Sequence, residues 1–121
     1  MDLTANTRQV GIVSVVDING RIVLGEECAV LRQLVRDLLS QGHDKILLNL
    51  AGVSHIDSCG LGVLIGVSST VRKAHGEVKL VNLPEKLQDL MQVTRLYTVF
   101  EIMSDEAAAV KSFDQSAAAK T

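Results

Sequence analysis

The sequence predicts one α/β domain built on a mostly parallel sheet, and three observations carry that expectation. Short β-branched or apolar runs alternate with longer stretches of helical periodicity. Of the 121 residues, 47% are hydrophobic and 21% charged, the balance of a globular chain. Aromatic residues make up 2% and tryptophan is absent, so the core must be aliphatic. No repeat or linker divides the chain. A chain of this length buries roughly two thirds of its unfolded surface and needs no disulfide.

The first element is residues 11–23, where Ile12, Val13, Val15, Val16, Ile18, Ile22 and Val23 favour a strand. Asn19 and Gly20 interrupt it as either a hairpin turn or a bulge. The reading adopted is a strand that bends at Gly20, with room for a short partner strand before Gly11. Residues 26–41 read as a helix. Glu26 and Glu27 occupy its first turn, where the helix dipole favours anions. Cys28, Leu31, Leu34, Val35, Leu38 and Leu39 form its apolar stripe, and Gly42 ends it.

Residues 45–50, KILLNL, read as a buried, central parallel strand. A loop over 51–57 follows. Residues 58–71 then carry no charge at all, which predicts a helix buried on more than one face. Gly62 and Gly66 share a side of that helix and would let another element approach. Gly76 closes it. Residues 77–82 form the next strand, and Pro84 starts a short helix with Leu87, Leu90 and Met91 as its stripe. Residues 98–102 are a last short strand. Ser104 is the expected cap of a final helix that fades near Phe113, with Asp105 and Glu106 in its first turn. The domain is thus placed at 1–113 and a flexible tail at 114–121.

Composition excludes several classes of function. Lys plus Arg is 12 and Asp plus Glu 14, a net charge of −2, which offers no basic surplus for nucleic acid. Few aromatics means no stacking platform for single strands. No window approaches the about 18 apolar residues of a membrane span, and the first ten residues lack an apolar signal core. The expectation is a cytoplasmic protein without membrane insertion. Cys28 and Cys59 have no metal-ligand spacing and read as free thiols. His43, His55 and His75 match no zinc pattern and fall near predicted loops. No carboxylate pair is marked out as catalytic. No cofactor or metal is expected, and an enzyme is not.

The informative stretch is His55-Ile56-Asp57-Ser58-Cys59-Gly60-Leu61-Gly62, which follows a buried strand and opens a helix. Sites in parallel sheets form at that end of the strands. A serine-hydrolase elbow fails because position 56 is Ile. A dinucleotide motif fails because Gly66 comes one residue late, no acid follows at the required distance, and no Lys completes a phosphate loop. Two readings of Ser58 remain. It caps the helix, with Asp57 shaping the turn. Alternatively it accepts a phosphoryl group, whose charge the helix amides tolerate but a docked partner does not. Leu61 serves either as a partner contact or as core.

The run from Ile56 to Leu64, IDSCGLGVL, resembles the signature of the STAS domain family, and more narrowly that of bacterial anti-sigma factor antagonists. Residues 45–50, 18–22, 78–84 and 96–100 also fall in register with the family, so the resemblance covers about residues 8–113. It implies a small mixed, mostly parallel β-sheet flanked by helices. It implies that Ser58 is phosphorylated by an anti-sigma factor that is also a serine kinase, and that a PP2C-type phosphatase reverses this. The unphosphorylated protein would bind the kinase and free the sigma factor. Asp57, Ser58, Cys59, Gly60, Leu61 and Gly62 would form the partner-binding site. Arg21 and Val23 stand where many members carry acidic residues. Two alternatives are a STAS subunit that is never phosphorylated, in a phospholipid ABC transporter or a stressosome-like scaffold, and a small nucleotide-binding enzyme using Gly60 and Gly62.

Overall fold

The computed structural model describes residues 3–23 and 25–119; the side chains of Glu26, Glu27 and 114–119 lie outside the description. Five strands form one sheet in the order β1-β2-β3-β4-β5. Strand β1 (Leu3–Val10) runs antiparallel to β2 (Val13–Ile22) across a turn at Gly11, whose φ of 63° suits glycine. Gly11 and Ile12 therefore belong to this turn, and the predicted strand over 11–23 begins only at Val13. From β2 onward all pairings are parallel, through β3 (Lys45–Ile56), β4 (Glu77–Val81) and β5 (Glu101–Met103). The mixed, mostly parallel sheet is as expected.

Strand order follows chain order, so successive crossovers lay their helices on the same side. Helices α1 (Glu26–Ser40), α2 (Ser58–Lys73) and α3 (Glu85–Thr94) all pack on one face. Cys28, Leu31 and Val35 of α1, Val63, Leu64 and Val67 of α2, and Leu87 and Met91 of α3 share a core with Val16, Ile18, Ile46, Leu48 and Leu80. Helix α4 (Glu106–Ala119) covers the other face, where Ala109 and Phe113 meet Val13, Val15, Leu47 and Val81. Alternation along each strand explains the division: neighbouring residues point to opposite faces. Buried Lys79 sits under α4, with Nζ 4.7 Å from the Phe113 ring centre and 2.7 Å from Ser112 Oγ. It also pairs with Glu101 at 3.1 Å.

Several boundaries differ from the sequence reading. Strand β3 continues through the predicted 51–57 loop to Ile56, because β2 runs on past its bulges and supplies partners as far as Ile22. The bend expected at Gly20 is one of those bulges. Helix α2 is buried along one stripe only: Gly60, Val63, Leu64, Val67, Ser68 and Val71. The opposite side faces outward and carries no charge from Ser58 to Val71, with Ile65 39% exposed, before Arg72 and Lys73 close the helix. A methyl group placed on Gly62 or Gly66 would meet no atom within 4 Å, so these glycines admit no close approach inside the fold. The predicted strand over 98–102 is instead a 3-10 turn, Leu96–Thr98, ahead of the three-residue β5. Arg95, left-handed at φ 60°, ends α3 and immediately precedes that turn.

The expected Ser104 cap falls to Asp105, whose Oδ2 accepts from Ala108 N at 2.9 Å. Helix α4 runs past Phe113 to Ala119; residues 120 and 121 of the expected tail lie outside the described residues. The Glu26 and Glu27 side chains read as dipole partners do so as well.

Candidate functional site

The C-terminal halves of β2 and β3 carry the chain to the start of α2. Asp57 N donates to Ile22 O at 3.4 Å, which ties the junction to the end of β2. Asp57 is extended (φ −108°, ψ −174°), and its Oδ1 accepts from Gly60 N at 2.9 Å. Its carbonyl accepts from Leu61 N at 2.9 Å. This is N-cap geometry. The cap is thus Asp57, and Ser58 is the first residue of the helix. The physical reason is reach: a carboxylate at the last extended position meets the amide three residues on.

Gly60 makes the junction possible. A Cβ there would lie 2.0 Å from Ile22 O and 2.7 Å from Ile56 Cγ1. Only glycine lets α2 close onto the end of β2. Gly60 is therefore buried packing in this fold.

The other predicted site residues divide by exposure. Ser58 and Gly62 are exposed, four residues apart and so on one side of α2. Cys59 and Leu61 are half-buried and lean on the main core, which gives Leu61 a packing role. Both cysteines are free thiols, and buried Cys28 donates to Val23 O at 3.1 Å. The Ser58 hydroxyl makes no hydrogen bond to another described residue, so its oxygen is uncommitted.

The sequence reading missed the continuation of this surface. Ile65, Gly66 and Ser69 extend the outward side of α2 beyond Gly62, without charge until Arg72 and Lys73. The absence of charge over 58–71 was the available signal, but it read as burial. His55 lies in β3 rather than in a loop, exposed, in register with Arg21 of β2. Its Nδ1 is 3.3 Å from Ser54 Oγ, which donates to Gly20 O at 3.2 Å. Among the described residues, no three His, Cys, Asp or Glu side chains group as metal ligands. No described helix is long and apolar enough to cross a membrane.

A model of the STAS domain matches residues 4–109. The chain belongs to the STAS domain family. This STAS domain is 38% identical over 82 residues to the anti-sigma-B factor antagonist of Bacillus subtilis, covering 68% of this chain and 74% of that one. Its fold is similar to a Thermotoga maritima structure described as a candidate anti-sigma factor antagonist. That match has a TM-score of 0.83 at 25% identity and covers 91% of this chain and 94% of the other. The anti-sigma factor antagonist SpoIIAA, in its unphosphorylated form, matches with a TM-score of 0.69 at 19% identity over 90% of this chain and 96% of its own. At that identity the likeness speaks for the STAS fold alone.

Proposed function

We propose that this STAS domain is an anti-sigma factor antagonist. In its unmodified form it binds an anti-sigma factor that is also a serine kinase, and phosphorylation of Ser58 switches that binding off. A PP2C-type phosphatase restores it. The single observation that carries this reading is the uncommitted, exposed Ser58 hydroxyl at the start of α2, with Asp57 already in the capping role. Under the alternative in which Ser58 is only a cap, that hydroxyl would be occupied. The relative in Bacillus subtilis is named an anti-sigma-B factor antagonist, which supports the same reading.

The physical mechanism follows from charge. A phosphoryl group adds nearly two negative charges at neutral pH. The amides and dipole at the start of α2 tolerate them, so the fold is kept. A partner docked on Ser58, Gly62 and Ile65 would instead meet a new charge that it must desolvate, beside the Asp57 carboxylate. The protein acts by binding and release and carries out no chemistry itself.

Intact-mass measurement and peptide mapping of the protein from its native cells, with phosphatases inhibited, test this. A phosphoryl group on Ser58 is the expected result. Its absence under both growth and stress would overturn the switch and favour a scaffold or transporter subunit that is never phosphorylated.

A further inference from the structure

A cleft of about 580 Å³ opens between α3, the 3-10 turn, β5 and the lead-in to α4. It shares no lining residue with the Ser58 surface. It lies where β4 and β5 end, with Asn82 following one strand and Ser104 the other. The volume is that of a small-molecule site.

Its chemistry is selective. No charged residue lines it, in a chain that is 21% charged. A phosphate or carboxylate would find no counter-charge there. Leu83 and Met91 are buried beneath it, and Met103 and the half-exposed Tyr97 complete an apolar surface that suits a flat ring.

The polar groups are oriented by a relay that begins outside the cleft. Asp17 can only accept, so Asn49 turns Nδ2 toward its carboxylate at 2.7 Å. Asn49 Oδ1 therefore faces Asn82, whose Nδ2 donates to it at 3.2 Å. Gln88 likewise donates Nε2 to Leu83 O at 2.8 Å. Both Asn82 and Gln88 line the cleft with an amide nitrogen engaged and a carbonyl oxygen unspent. Each side chain so held offers an acceptor oxygen beside its second amide N–H, and Gln92, Tyr97 and Ser104 add further polar groups to the lining.

We infer that this cleft binds an uncharged, planar molecule that donates N–H hydrogen bonds, of the class of amino-substituted heteroaromatic rings. The ring lies against Met91, Met103 and Tyr97, and its amino group meets the Asn82 and Gln88 oxygens.

Methionine-methyl NMR on the full chain tests this directly. Of the chain's three methionines, Met91 and Met103 line the cleft. Adenosine, the probe, should move the Met91 and Met103 signals saturably. Purine riboside lacks the amino donor, and AMP adds a phosphate. Each should bind about fivefold or more weakly, the effect of one lost hydrogen bond or one uncompensated charge. Gln88→Leu should weaken adenosine by about the same factor while its methyl spectrum stays that of a folded protein. No saturable movement with adenosine, equal binding of the three probes, or unchanged adenosine binding by Gln88→Leu would each overturn the assignment.

Discussion

Gly60 lies so close to Ile22 that a Cβ on it would sit 2.0 Å from the Ile22 carbonyl oxygen. The obstacle is backbone, which cannot swing aside. Gly60→Ala should therefore destabilise the fold by about 1–3 kcal/mol, toward the upper end. Gly62→Ala, two residues on and open to solvent, should instead stabilise α2 by about 0.4–1 kcal/mol. Urea unfolding of both variants measures the difference. Equal effects of the two would mean that the junction is not closed as described.

Asp57 and Ser58 should separate in the same assay. Asp57→Ala removes the acceptor for Gly60 N and should cost about 1 kcal/mol. Ser58→Ala removes an exposed hydroxyl without a described partner and should stay within about 0.5 kcal/mol of the parent. A larger loss in Ser58→Ala than in Asp57→Ala would return the capping role to Ser58.

On the proposed function, charge at position 58 should act on binding and leave folding intact. Ser58→Asp and Ser58→Glu should bind the partner anti-sigma factor at least about tenfold more weakly than Ser58→Ala. Calorimetry with the purified partner reads this. Equal affinities for all three would sink the switch.

Acid stability should depend on Asp17. Arg8 approaches it at 2.6 Å and also pairs with Glu106 of α4, so one guanidinium joins β1, β2 and the helix on the far face. The hydrogen bond from Arg8, with a further one from Asn49, holds the Asp17 carboxyl below its ordinary 3.8. A carboxyl depressed by folding stabilises the native state above its unfolded value and loses that contribution as pH falls through the folded one. The protein should therefore lose stability below about pH 4 more steeply than Asp17→Asn, whose own stability should be lower at pH 7. Because Arg8 is partly solvated, the difference at pH 7 should be about 1 kcal/mol or less. Thermal unfolding from pH 7 to pH 2.5 tests it, and parallel acid profiles would remove Asp17 from the account.

Much of the architecture was legible in local pattern. The stripe from Cys28 to Leu39 set α1, and KILLNL set the start of β3, because burial on one helical face or on both strand faces leaves a direct signature. The errors came where a neighbour from elsewhere in the chain decides. Residues 51–56 read as loop because their strand partners lie in the second half of β2, beyond two bulges that no local signal counts. The uncharged side of α2 read as buried because hydropathy cannot distinguish a face covered by the protein itself from one left open.

For the site, the sequence by itself determined which residues meet at the strand-to-helix junction and, through the IDSCGLGVL run, the family to which the chain belongs. Their spacing is local, and a hydroxyl beside a carboxylate at a helix start is visible in one dimension. Only the tertiary structure decided the roles. It made Asp57 the cap, buried Gly60 against Ile22, turned Ser58 and Gly62 outward, and left Ile65 uncovered. Those assignments depend on where β2 ends relative to α2 and on what else packs there. Such relationships between residues about 40 apart arise from chain crossing and packing, which no local pattern contains.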